Sequence, residues 1–179
     1  MSMRTQVETS EHLKAAVYGA NDGIITTFAV VAGVAGAGLS TSIVLIMGLA
    51  NMVADGISMG LSNYLGERSQ RRYWDDHKKK PIFDPAIWHS AAITFLAFNA
   101  AGTLPLTPYL LNLLGFSTPN PFFFSIIATA FALFLVGSLR TTVTKGIWWK
   151  NGLEMLAVGA LAAIAAYTIG GLIEKLVVN

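Results

Sequence analysis

The amino-acid sequence predicts an all-α membrane protein with five transmembrane helices, and three observations carry that reading. The 179 residues are 54% hydrophobic and only 12% charged, about half the charge of an ordinary soluble domain, and mean hydropathy is +0.57. Five apolar runs nearly fill the chain, each near the roughly 20 residues that cross a hydrocarbon core. The basic residues gather in alternate connections between those runs, as the two sides of a membrane require.

The spans fall at about residues 15–39, 42–66, 85–104, 121–139 and 151–173, one transmembrane domain covering residues 1–179 with no room for a separate soluble domain. The first run is long, has no small-residue cleavage site and contains Asn21-Asp22, so it is read as a span rather than a removable signal peptide. A short turn near Ser40-Thr41 leads into the second run. Asp84-Pro85 marks the start of the third, with Pro at the first helical position and Asp able to cap the free amides. Pro105 and Pro108 interrupt its outer end, and a loop is expected from there to Pro121, with a short surface helix over residues 109–114. Pro121 and Asn151 open the last two spans.

Eleven of the twelve basic residues fall on one side: Arg4 and Lys14, then Arg68, Arg71, Arg72, Lys78, Lys79 and Lys80, then Arg140, Lys145 and Lys150. Only Lys175 falls on the other. The positive-inside rule makes the basic side cytoplasmic, with the N-terminus inside and the C-terminus on the opposite side. Trp74, Trp88, Trp148 and Trp149 collect at the same boundary, as an aromatic belt does. Cysteine is absent, which excludes disulfides and thiolate metal sites. No Ser-, His- or Cys-centred constellation lies at membrane depth, so an enzyme is not expected.

The chemistry concentrates in the first hairpin. Asp22 on the first span and Asp55 on the second are carboxylates inside apolar segments, where they are costly and usually face a bundle interior or an ion path. Counted from a turn at residues 40–41, Asp22 and Met59 sit at similar depth, bringing a hard oxygen and a soft thioether level; that pairing suits a divalent transition metal better than magnesium or calcium. Asn51, Asp55, Met59 and Ser62 fall within a stripe of about 80° on the second helix. Met59 also fits ordinary packing, and Asp55 also fits a structural bond, for instance to Thr26. Glu11 lies three helical turns before Asp22 on nearly the same face, placed either to guide cations or to complement the helix dipole. His12, His77 and His89 form no spaced ligand pair. Gly19-x-x-x-Gly23 and Gly56-x-x-x-Gly60 flank the two acids and permit close helix approach.

The run from Tyr18 to Ala37 (YGANDGIITTFAVVAGVAGA) and the run from Gly48 to Leu65 (GLANMVADGISMGLSNYL) resemble the vacuolar iron transporter family. The resemblance is specific over residues 11–67 and extends beyond them through span number and spacing. It implies a five-helix protomer, a homodimer with the ion path between protomers, and export of ferrous iron or manganese from the cytosol in exchange for protons. By match of motif, Asp22 and Met59 correspond to the family's intramembrane ligands, Glu11 to an acidic entrance position, and Asn51 to a place where some members carry another acid. Many members insert a long metal-collecting cytoplasmic domain after the second span. Here residues 67–84 stand in its place and carry six basic side chains, a short form similar to the nodulin-like members. The expected membrane is the cell inner membrane or a vacuolar membrane. No cofactor is expected: iron or manganese enters as the transported substrate, and metal ions, protons and lipid are the partners.

Proton coupling has a physical basis independent of the resemblance. Two Asp22 carboxylates brought together in a poorly solvated gap tend to hold a proton when the gap is empty, and a divalent cation displaces it on binding. A proton-coupled carrier of another cation or small solute, or a non-transporting scaffold, are the alternatives. The basic asymmetry makes the topology testable. Labels near Lys78 and Lys145 should be inaccessible from outside intact cells, and a C-terminal label accessible; a C-terminal tag on the cytoplasmic side contradicts five spans.

Overall fold

The structure, a computed structural model, describes residues 3–74, 85–144 and 146–178. They form helices α1 (Met3–Gly36), α2 (Thr41–Trp74), α3 (Pro85–Leu113), α4 (Pro121–Leu139), the one-turn α5 (Thr141–Thr144) and α6 (Trp148–Val178), with no strand among the described residues. Five of the helices are long and apolar enough to cross a membrane: His12–Gly36, Thr41–Tyr73, Ile87–Leu113, Pro121–Leu139 and Trp148–Val177.

Helix α1 is the central post. It packs on α2, α3, α4 and α6, while α2 rests on α3 and α4 on α6. Glycine sets the closest of these approaches. Gly19 and Gly23 press α1 against the α3 backbone at Thr94 and Phe98, and Gly56 and Gly60 bring α2 to the same helix at Asn99 and Ala91. Both glycine pairs of the first hairpin therefore serve α3, which lodges against the two helices, rather than a direct α1–α2 seam. At the other end, a methyl built on Gly170 would run into the Gly33 carbonyl and one on Gly36 into the Tyr167 carbonyl, so α1 and α6 meet backbone to backbone. Phe28, Val31, Val44, Met52, Phe98, Leu106 and Tyr109 fill the core between α1, α2 and α3.

The helix ends follow from local chemistry. Gly38 (φ +62°) closes α1 in a left-handed conformation, with the Leu39 N–H bonded to the Val34 carbonyl at 3.1 Å, the six-to-one bond of a Schellman cap. Gly115 (φ +90°) closes α3 in the same way, with Phe116 bonded back to Leu111 at 3.0 Å. Asn120 caps α4 by accepting from the Phe123 N–H at 3.1 Å, ahead of Pro121 at the first turn. Asp84, the expected cap of α3, lies outside the described residues, but α3 does begin at Pro85.

One expectation fails. Instead of ending near residue 104, α3 continues through Pro105 and Pro108 to Leu113, absorbing the expected surface helix. The prolines remove the donors for the Ala101 and Leu104 carbonyls, and hydroxyls add bonds to neighbouring carbonyls of the same stretch: Thr103 to the Asn99 carbonyl at 2.8 Å, Thr107 to the Thr103 carbonyl at 3.1 Å and, from α4, Ser125 to the Pro105 carbonyl at 2.6 Å. Such partners let a membrane helix keep its prolines, and Pro105 is fully buried where α4 covers it.

At the basic end, Arg140 pairs with Glu154 at 3.7 Å and ties the end of α4 to the start of α6. Trp88 meets Tyr64 edge-on at 5.7 Å, and Trp148 meets Phe134 at 6.1 Å. The Trp74 side chain, Lys78, Lys79, Lys80 and Lys145 lie outside the described residues.

The α1–α6 crossing yields a paired prediction. Gly170→Ala forces two backbones apart and should cost about 1–3 kcal/mol, whereas Gly66→Ala, facing open space in α2, should be neutral or stabilise by up to about 1 kcal/mol. Thermal unfolding in detergent followed by tryptophan fluorescence checks the pair; equal melting temperatures contradict the close crossing.

Candidate functional site

The link between α1 and α2 fixes the level of the two intramembrane acids. Because α1 ends at Gly36 and α2 begins at Thr41, Asp22 lies 14 residues before the end of one helix and Asp55 14 residues after the start of the next. At equal rise they stand at one depth, and their carboxylates repel each other electrostatically. The turn is centred about two residues earlier than residues 40–41, and that small displacement moves the residue opposite Asp22 by one helical turn. Met59 consequently stands one turn nearer the basic end, where it lines a cavity with Tyr18.

Asp22 is exposed on the outer face of the protomer although it lies well inside a span. Its backbone carbonyl accepts the Thr26 hydroxyl at 2.8 Å, so Thr26 is committed to its own helix rather than to Asp55. Asp55, half-buried, accepts instead from the Asn51 amide at 2.8 Å. That i, i+4 bond holds the Asp55 carboxylate along the polar stripe of α2. Met59 is half-buried and packs partly on the core. The Glu11 side chain lies outside the described residues. His89 is exposed on α3, His12 is half-buried on α1 and His77 is outside the described residues. Among the described residues no three His, Asp or Glu side chains gather into one ligand cluster. A single protomer thus offers Asp22, Asp55, Asn51 and Met59 along one edge, without closing a shell around an ion.

Beyond Met59 toward the basic end, α1, α2 and α3 part to leave a cavity of about 450 Å³. Lys14 and Tyr18 border it from α1, Met59, Asn63 and Glu67 from α2, and Thr94 from α3. Asn63 spans to α3, its Nδ2 donating to the hydroxyl oxygens of Ser90 and Thr94, each at 3.0 Å. None of Asn63, Ser90 and Thr94 stands out in the sequence. The available signal is that Asn63 follows Met59 by four residues and so continues the same helix face. A second cavity, about 420 Å³ between α1, α4 and α6, is lined almost wholly by apolar groups such as Phe28, Phe122, Leu133 and Tyr167 and offers nothing to a cation.

Compared with known proteins, residues 13–84 and 77–171 match the sequence model of the VIT family. The chain belongs to the VIT family. A vacuolar iron transporter of Toxoplasma gondii is 44% identical over 72 residues, 40% of this chain and 24% of that protein. One from Plasmodium berghei is 26% identical over 227 aligned positions, taking in 92% of this chain and 83% of the relative. Vacuolar iron transporter 1 of Arabidopsis thaliana is 24% identical over 214 positions, covering 88% and 84%. The last two alignments are longer than this VIT-family chain itself, so the relatives carry residues that it lacks. The two matched segments overlap at residues 77–84, between α2 and α3. With five apolar helices and this membership, the VIT-family chain is a multi-pass membrane protein.

Proposed function

We propose that the protein is a metal transporter that moves ferrous iron or manganese out of the cytosol in exchange for protons, working as a homodimer. The observation that carries this reading is Asp22: a carboxylate inside a membrane span, exposed on the protomer surface, level with Asp55 and its Asn51 partner. Lipid is a poor neighbour for that face, since an acid at mid-span costs roughly 3 kcal/mol on insertion scales. A second copy of the same face covers it and brings two Asp22 carboxylates into one gap. The relatives' names, vacuolar iron transporters, agree with the chemistry the face offers.

Function then follows from charge. With the gap empty, repulsion and poor solvation favour protons on the acids. A divalent ion neutralises the same charges and expels those protons, so the two cargoes exclude each other. The Met59 thioether adds a soft donor one turn closer to the basic, cytoplasmic side and favours iron or manganese over harder ions. The missing insertion after α2 removes only a collecting device, because Asp22, Asp55 and Met59 all belong to α1 and α2.

Two substitutions in proteoliposomes test the reading. Asp22→Asn keeps size and hydrogen bonding but cannot trade a proton for a metal ion, so it should abolish metal-driven proton movement in a protein that still purifies as a folded dimer. Met59→Leu, a volume-conserving change costing less than about 1.5 kcal/mol in stability, should raise the KM for ferrous iron with little change in melting temperature. Undiminished metal-driven proton flux with Asp22→Asn contradicts the exchange mechanism, and an unchanged iron dependence with Met59→Leu makes that residue a packing element.

A further inference from the structure

Met59, Asn63 and Glu67 follow one another at four-residue steps on α2, and all three line the cavity at the basic end; the same step leads inward from Met59 to Asp55. The Asn63 amide is fixed by its neighbours. Thr94 commits its hydroxyl proton to the Ser90 carbonyl at 3.0 Å, so its oxygen accepts from Asn63, and the group facing it has to be the NH2. Nδ2 is accordingly held on α3 by both hydroxyls at 3.0 Å. With Nδ2 committed to those two hydroxyls, the Asn63 carbonyl oxygen is the group left to serve the cavity that this residue lines.

An anchored amide oxygen and a carboxylate one turn apart are hard oxygen donors of the kind divalent cations take. The cavity, about 450 Å³, is wide enough for an ion that still carries six waters, about 180 Å³ at roughly 30 Å³ each. From the α1 side Lys14 faces the same space, its ammonium 5.9 Å from the Tyr18 ring centroid. A lysine bordering the cavity that a glutamate also lines is placed to compete with an arriving cation.

We propose that Asn63 Oδ1 and the Glu67 carboxylate form a cation-loading site in this cavity, occupied before the ion passes Met59 to reach Asp55 and Asp22, with Lys14 competing for it. The order of occupancy rests on the transport reading; the site itself does not. It supplies a first contact for the ion on α2 itself, next to the connection to α3.

Mn2+ binding to the purified protein, followed by loss of the electron paramagnetic resonance signal of free aqueous Mn2+, tests the site without transport. Asp22→Asn should still bind Mn2+, and adding Glu67→Gln should weaken that binding about tenfold, because one charged ligand is lost. Lys14→Gln, a change at the cavity rim, should tighten binding severalfold. In proteoliposomes Glu67→Gln should raise the KM for Mn2+ about tenfold with the maximal rate retained. Equal Mn2+ binding by Asp22→Asn and the Asp22→Asn/Glu67→Gln double variant overturns the site, as does a Lys14→Gln protein that binds no more tightly than wild type. Absence of flux in the wild type contradicts the transport reading instead and leaves the Mn2+ titration to decide this one.

Discussion

A carboxylate exposed on the outside of a protomer, halfway along a membrane span, is the constraint on which the rest of this structure turns. Asp55 on the next helix repels Asp22 rather than neutralising it. The close glycine contacts of α1 lie on its other faces. Gly19 and Gly23 bind it to α3, and Gly33 and Gly36 bind it to α6. The acid is left facing outward because those faces are taken. In the proposed dimer a second protomer, not lipid, would complete the surface, and the costly charge would become half of an ion site.

The same division separates scaffold from chemistry. Helices α3, α4 and α6 supply close backbone contacts, hydroxyls that bond carbonyls around the α3 prolines, and an apolar cavity without charge. Helices α1 and α2 carry the acids, the amides and the thioether. Where α3 meets them it contributes hydroxyls, Ser90 and Thr94, that orient Asn63 rather than donors of its own. The acids at mid-span and Met59 all belong to α1 and α2 and so precede the connection to α3 in the chain.

Much of this was legible from residue pattern alone. Span number, the starts at Pro85 and Pro121, the single basic end and the acids of the first hairpin all follow from strong local signals. Three things did not. Helix α3 runs through Pro105, where α4 covers it and Ser125, twenty residues later, reaches back to its carbonyl, tertiary contacts that no local rule contains. The level of Asp22 depends on where the turn is centred. A Schellman cap at Gly38 moved that centre by about two residues, enough to set Asp55 rather than Met59 opposite. The role of Asn63 was hidden because its partners lie on α3, 27 and 31 residues away, and an asparagine in an apolar helix carries no motif by itself.

The central claim is that the Asp22 face is covered by a second copy of the same face, and cross-linking tests it most directly because the chain has no native cysteine. A single cysteine in place of Ser58, exposed beside the polar stripe of α2, is compared in native membranes with one in place of Leu161, exposed on α6, using a short bismaleimide. The account predicts a covalent dimer from Ser58→Cys and none from Leu161→Cys. A dimer through α6 alone, or none through either position, would contradict it.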